Sequence, residues 1–415
     1  MLILELITSL MIWVMILIPI NSYIIGINEK SPYKLVQDVS SQTIFDAAKV
    51  TAESLMNRSD LCEGGNHNFA SGTYNLLIKN IPVKSTSTEA VFIASNGQNL
   101  FVGLNSASTT DYDLVVYDYR NIETPLDELD SGPGLVNGAM VGKNIFVINS
   151  SVNSALQRFK FDSINKKLIK TGDYKMPWSS SINPVYGTKI SAIYPNLFLG
   201  LKKNSGEELL SIDLNKLDDG LSVAINKKWE LDSSVQDIWP IYDKYLHLLI
   251  STAKEPEIND FCLNCDFATS SPLNTFDLSG SLGNVRSLIV RNGEIYIGRS
   301  AGNNELFKIN MTRDHSSTSP LSGYDLINSI DVNEGIYSML LSEHYLFLAT
   351  GKTNSKIQIR DVNNLSNIIQ TTDTSSTVSD LECVRDRVFG VGSIYEINGT
   401  STESVVPIIF EIKAN

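Results

Sequence analysis

Cysteine is nearly absent from this chain of 415 residues, occurring only at Cys62, Cys262, Cys265 and Cys383. Four are too few to frame a fold by disulfides, though they suit one or two bridges outside the cell. Histidine is as scarce: His67, His247, His315 and His344 are scattered. No His–Cys or His–carboxylate cluster supplies a nucleophile with a base or a closed zinc set, so no cofactor is expected and the chain reads as non-enzymatic. Positive charge is short, with 33 Lys plus Arg against 46 Asp plus Glu and a formal net charge of −13. A phosphate backbone is repelled on average, no basic stripe compensates, and nucleic acid is excluded as the expected partner. No Lys or Arg precedes Lys30, which removes the basic n-region of a cleaved secretory signal.

What is present begins with an apolar run from Met1 to Ile27, interrupted by Glu5, Thr8, Ser9, Asn21, Ser22 and Gly26. It is long enough to cross a bilayer as a helix. A plain anchor carries an acid near the centre of a span at about 2.5–3.5 kcal/mol, so Glu5 asks for a partner. After a polar break, apolar residues from Val36 to Met56 recur at three- and four-residue spacings, predicting an amphipathic helical stretch over 33–57. Residues 63–72, with Gly64, Gly65 and Asn66, read as a linker.

The stretch MLILELITSLMIWVMILIP, Met1 to Pro19, resembles the mature N-terminus of a type IV pilin or type II secretion pseudopilin. The resemblance implies that Met1 is the residue left by the prepilin peptidase and methylated on its amine. It implies that Glu5 neutralises a neighbouring subunit's amine inside a filament, and that Pro19 relaxes the helix. The implied partners are copies of the chain in a helical filament and the inner-membrane pilus assembly machinery. The implied place is an extracellular filament, membrane-inserted before assembly. A buried carboxylate needs a cation, and proline removes one helical hydrogen bond.

From Thr73 onward short β-branched and aromatic runs alternate with Asn, Ser, Gly and Asp turns. The segments NLFVG at 99, NIFVI at 144, NLFLG at 196, YLHLL at 245, EIYIG at 294, YLFLA at 345 and RVFGV at 387 read as one strand written seven times. Their third positions are Phe101, Phe146, Phe198, His247, Tyr296, Phe347 and Phe389, spaced by 45, 52, 49, 49, 51 and 42 residues. Four strands in such a period predict a β-propeller blade, and seven copies predict seven blades. The last blade, built from 378–384, 388–393 and 406–412, lacks an outer strand, and 74–83 is the expected donor that closes the ring. The third strand of the fourth blade is not placed. The expected fold class is therefore mostly β: a long N-terminal α-helix over 1–62 followed by a seven-bladed β-propeller over 73–415. The repeats, with turns such as DVNNLSN at Asp361, resemble secreted bacterial LVIVP-repeat propellers, which implies surface location and a surface ligand of unknown kind.

Cys262 and Cys265 form a CxxC in what reads as a long insertion of the fourth blade, EPEINDFCLNCDFATSS. A structural disulfide is favoured over a redox pair or half a zinc site, and Cys62 is a candidate partner for either cysteine. Cys383 aligns with a core position and reads as a buried thiol. His247 reads as a core histidine. Acidic groups at Asp111 and Asp113 and at Asp127, Glu128 and Asp130 lack a calcium loop's spacing and read as solvated turns. Sequons at Asn57, Asn149, Asn310, Asn364 and Asn398 are what an Asn-, Ser- and Thr-rich chain shows by chance. Two functions follow: a pilin-like subunit displaying a propeller, or a membrane-anchored adhesin or receptor that does not polymerise.

Overall fold

The computed structural model describes residues 74–415 apart from short segments at 85–86, 107–111, 133, 150–155, 178–185, 203–206, 243–245, 264–271, 273, 279–283, 292, 313–322, 343, 352–354, 385–386, 399–401 and 415. The chain divides into two units, Met1–Glu53 and Ser54–Asn415, and every described residue belongs to the second.

Seven four-stranded antiparallel sheets form this unit. The first strands of the blades are Glu89–Ser95, Leu135–Val141, Gly187–Ile193, Val235–Tyr242, Val285–Arg291, Ile336–Leu341 and Thr377–Val384. They pack on one another in sequence, and the last packs on the first, closing a ring. The expected second strands are all present, from Asn99–Asn105 in blade one to Arg387–Asn398 in blade seven. Their seven marked side chains are at most 2% exposed. Each inner strand carries a β-bulge at the same register, for example between Ala90 and Phe92 and between Val378 and Asp380. An extra residue bends the strand and raises its twist, as the crowded inner edge of a propeller requires.

The core consists of seven apolar clusters, one in each gap between neighbouring blades. Six of the seven repeated second-strand residues are aromatic members of these clusters. In blade four His247 stands instead, its Nδ1 3.2 Å from Oδ1 of Asp260 with both side chains buried, so a polar pair replaces the aromatic plug.

Ring closure is by the first described strand, Tyr74–Asn80, which pairs antiparallel with Thr402–Ala414 as the outer strand of blade seven. The third strand of blade four is Ile258–Cys262; the segment read as an insertion thus begins with a regular strand. That strand was obscured because Asn259 and Asp260, both buried, break its apolar run.

The expected fold class needs correction. The structure is a mostly-β propeller whose only helices among the described residues are a 3₁₀ segment, Leu214–Asp219, and α1, Leu221–Ala224, both inside blade three. No long helix stands before the propeller in the described structure, and none among the described residues is long and apolar enough to cross a membrane. The helical reading rested on an apolar run, on apolar spacing and on the resemblance to a pilin, none of which by itself fixes a helix. The stretch 1–62, the linker 63–72, and with them Met1, Glu5, Pro19 and Cys62, lie outside the described residues.

Candidate functional site in the central channel

The bulge places one residue of each inner strand at an equivalent position: Phe92, Asn137, Lys189, Asp237, Ser287, Ser338 and Asp380. Six of these are polar, on strands that surround the propeller axis. Three of them reach the next blade in the same way. Asn137 Oδ1 accepts the Ile190 N–H at 3.3 Å, Asp237 Oδ2 that of Leu288 at 2.7 Å, and Asp380 Oδ2 that of Ile93 at 3.2 Å. Lys189 Nζ meets Asp237 Oδ1 at 3.2 Å, and Ser338 Oγ donates to Asp380 Oδ1 at 3.3 Å. In blade one Phe92 takes the position and packs into space left by Gly138 of blade two, where a Cβ would lie 2.4 Å from the ring.

This belt draws charge together across the ring. Asp380 on blade seven interacts with Lys189 on blade three and Asp237 on blade four. Burial acts to lower the Lys189 ammonium, yet the carboxylates of Asp237 and Asp380 outweigh it and the net direction is upward. Burial raises Asp380, against Lys189 and the N–H groups of Ile93 and Leu381, with Asp237 adding to the rise. Two residues on, burial and then Asp380 push Glu382 well above its ordinary value. Lys189 keeps 28% of its side chain exposed, so water reaches the group. One ammonium and three acidic side chains can hold a small polar or charged ligand.

A second set of acids is structural. The residue just before the third strand of a blade accepts an N–H from the segment that leads into the next blade: Asp113 from Ser131 and Gly132, Glu208 from Leu231, Glu257 from Leu278, Glu305 from Val332. Ser355 Oγ serves Val378 likewise. Sequence reading missed this latch, although an acid followed by Leu or Ile, at Asp113-Leu114, Glu208-Leu209, Glu257-Ile258 and Glu305-Leu306, repeats in the chain.

Asp113 is therefore not a solvated turn residue. It is buried, its Oδ1 has no partner among the described residues, and burial together with Asp130 lifts it to about 7 against the Ser131 and Gly132 N–H groups. Asp127 accepts from Lys167 Nζ and the Leu168 N–H, both at 2.7 Å. Glu255, Glu257 and Asp277 bring carboxylate oxygens within 4.8 Å of one another, but Glu257 is engaged with Leu278.

Cys262 is disulfide-bonded, and so is Cys383. The reading of Cys383 as a free core thiol is thus corrected, since sequence alone placed no second cysteine near it. Cys265 lies outside the described residues.

No family model matches this chain, and no curated protein matches it. Among solved structures, the β-propeller domain of Cps50 (Swd1) from Myceliophteria thermophila superposes with a TM-score of 0.52 at 12% identity, covering 80% of this chain and 99% of that one. A putative 6-phosphogluconolactonase from Bacteroides uniformis gives 0.52 at 13% identity, covering 78% and 98%. At such identity the similarity shows the fold alone, and that fold is the β-propeller.

Proposed function

We propose that the chain is a structural display subunit, which polymerises through its N-terminal apolar segment into an extracellular type IV pilus-like filament and presents the propeller for adhesion or surface contact. The observation that carries this reading is Met1–Pro19, an apolar run with a single acid at Glu5. In it Met1 is the processed, methylated residue, Glu5 pairs with the amine of a neighbouring copy, and Pro19 relaxes the segment. Prepilin peptidase and the inner-membrane assembly machinery are its partners before assembly. No enzymatic step is assigned to the propeller.

The channel supports a second reading, a membrane-anchored receptor that does not polymerise, with Lys189, Asp237, Asp380 and Glu382 facing a polar ligand. Mass analysis of the N-terminal peptide from the native protein separates the two. The filament reading expects Met1 one methyl group heavier on its amine; an unmodified Met1 overturns it and leaves the receptor.

A further inference from the structure

The gap between blades one and two holds buried oxygens with nothing to accept. Asp113, just before the third strand of blade one, uses Oδ2 for the N–H groups of Ser131 and Gly132, at 2.9 and 3.0 Å. Its Oδ1 has no partner among the described residues, although the side chain is fully buried. Gln157, on the third strand of blade two, is 1% exposed and in the same state. Its Nε2 donates to the Ser131 carbonyl at 2.9 Å, and its Oε1 has no partner among the described residues. That bond fixes the amide's orientation, because a flip would set Oε1 against a carbonyl oxygen. Asp130 completes the group. Its Oδ1 accepts the same Gly132 N–H at 2.9 Å, so the two carboxylates are neighbours, and its charge acts on Asp113. Among the described residues no ion pair joins either acid to a Lys or Arg.

Blade six shows what such an oxygen meets when the chain itself supplies a cation. Gln358 is the counterpart of Gln157: Val147 pairs with Gln157 and Leu348 with Gln358, each one residue past the repeated phenylalanine. Oε1 of Gln358 accepts from Nε and Nη2 of Arg360 at 3.2 and 2.8 Å, and that side chain is buried. Two residues after Gln157 stands Phe159 instead. The N–H that the acid latch takes likewise belongs to Leu231, Leu278 or Val332 in later blades, and to Ser131 here. This gap has the oxygens and lacks the cation, and a buried acceptor left without a donor or ion is costly.

We propose that Asp113, Asp130 and Gln157 bind a calcium ion between blades one and two. Carboxylate and amide oxygens, with no imidazole or thiolate, suit a hard cation and not zinc or copper. Two carboxylates balance a divalent charge. Calcium accepts the irregular spacing of three side chains from three segments, whereas magnesium demands a near-octahedral set. Asp130 is exposed, so water fills the remaining positions from its side. So few protein ligands make a weak site, of the class with dissociation constants of about 10⁻⁴–10⁻³ M. The ion ties residues 130–132, which lead into blade two, to the third strands of both blades. In metal-free protein a proton on Asp113 relieves the pair instead. Binding is independent of whether the N-terminal segment polymerises.

Isothermal titration of CaCl2 into the chelator-treated full-length protein tests the site. Wild type is expected to bind in that range, and MgCl2 to bind more weakly. Asp113→Asn keeps an oxygen for the latch and Asp130 is exposed, so both Asp113→Asn and Asp130→Asn are expected to fold, with calcium affinity lowered about 10–100-fold. Glu255→Gln alters the other carboxylate group, near Glu257 and Asp277, and is expected to bind as wild type does. No calcium binding by wild type means that water or a proton alone serves the buried oxygens, and it overturns the proposal. A folded Asp130→Asn that binds as tightly as wild type also overturns it, as does loss of binding in Glu255→Gln.

Discussion

Asp113 carries a titration the fold does not hide. Its folded pKa of about 7 lies above the ordinary 3.8, so the folded chain holds this proton more tightly than the unfolded chain. The resulting stability is full below about pH 4 and is lost as pH rises through about 7. In Asp113→Asn the amide oxygen still accepts from Ser131 and Gly132, and the charge is gone. Urea unfolding at several pH values is expected to show a downward slope between pH 4 and 7 in the wild type that is flattened in the variant. Asp380→Ala makes a separate case, since it strips acceptors from the Ile93 N–H and the Ser338 hydroxyl. A loss of about 1–3 kcal/mol is expected, measured by the same unfolding at pH 7. Phe347→Ala, which empties a fully buried position in the gap between blades six and seven, is expected to cost about 3–5 kcal/mol. That phenylalanine was legible from the seven-fold spacing. Asp113 and Asp380 were not, because a carboxylate that latches a backbone N–H looks in sequence like any turn acid.

Among the elements, the outer strand of blade seven matters most. Tyr74–Asn80 is distant in sequence from its partner, so its pairing is paid for by the contacts along Thr402–Ala414. A chain beginning after Val83 loses that pairing and the partly buried Leu76, Leu77 and Ile78. Its stability is expected to fall by about 5 kcal/mol, counted as side chains returned to water, with proteolysis starting in Thr402–Ala414; an unchanged unfolding midpoint would mean that the ring closes without the strand. This element was legible because blade seven was one strand short. The third strand of blade four was not, since Asn259 and Asp260 point polar groups into the interior and erase the alternation by which the other third strands are found. The channel belt escaped for a related reason: the bulge shifts the register by one residue, and its members mix Phe, Asn, Lys, Asp and Ser rather than repeating one residue type.

For the whole molecule, a ring with seven equivalent gaps makes an acidic head of formal charge −13 for the full chain. The propeller was readable from spacing, because each blade must bury the same faces, whereas the long N-terminal helix expected with it was not borne out. Function was readable only in part, because a propeller supports many roles and the channel residues differ from blade to blade. The filament reading rests on one acid in an apolar run. Electron microscopy of material sheared from cells carrying wild-type or Glu5→Ala protein tests it most directly. The account predicts filaments studded with ring-shaped heads from the wild type and none from the variant, whose propeller still folds; equal filaments from both, or none from either, would contradict it.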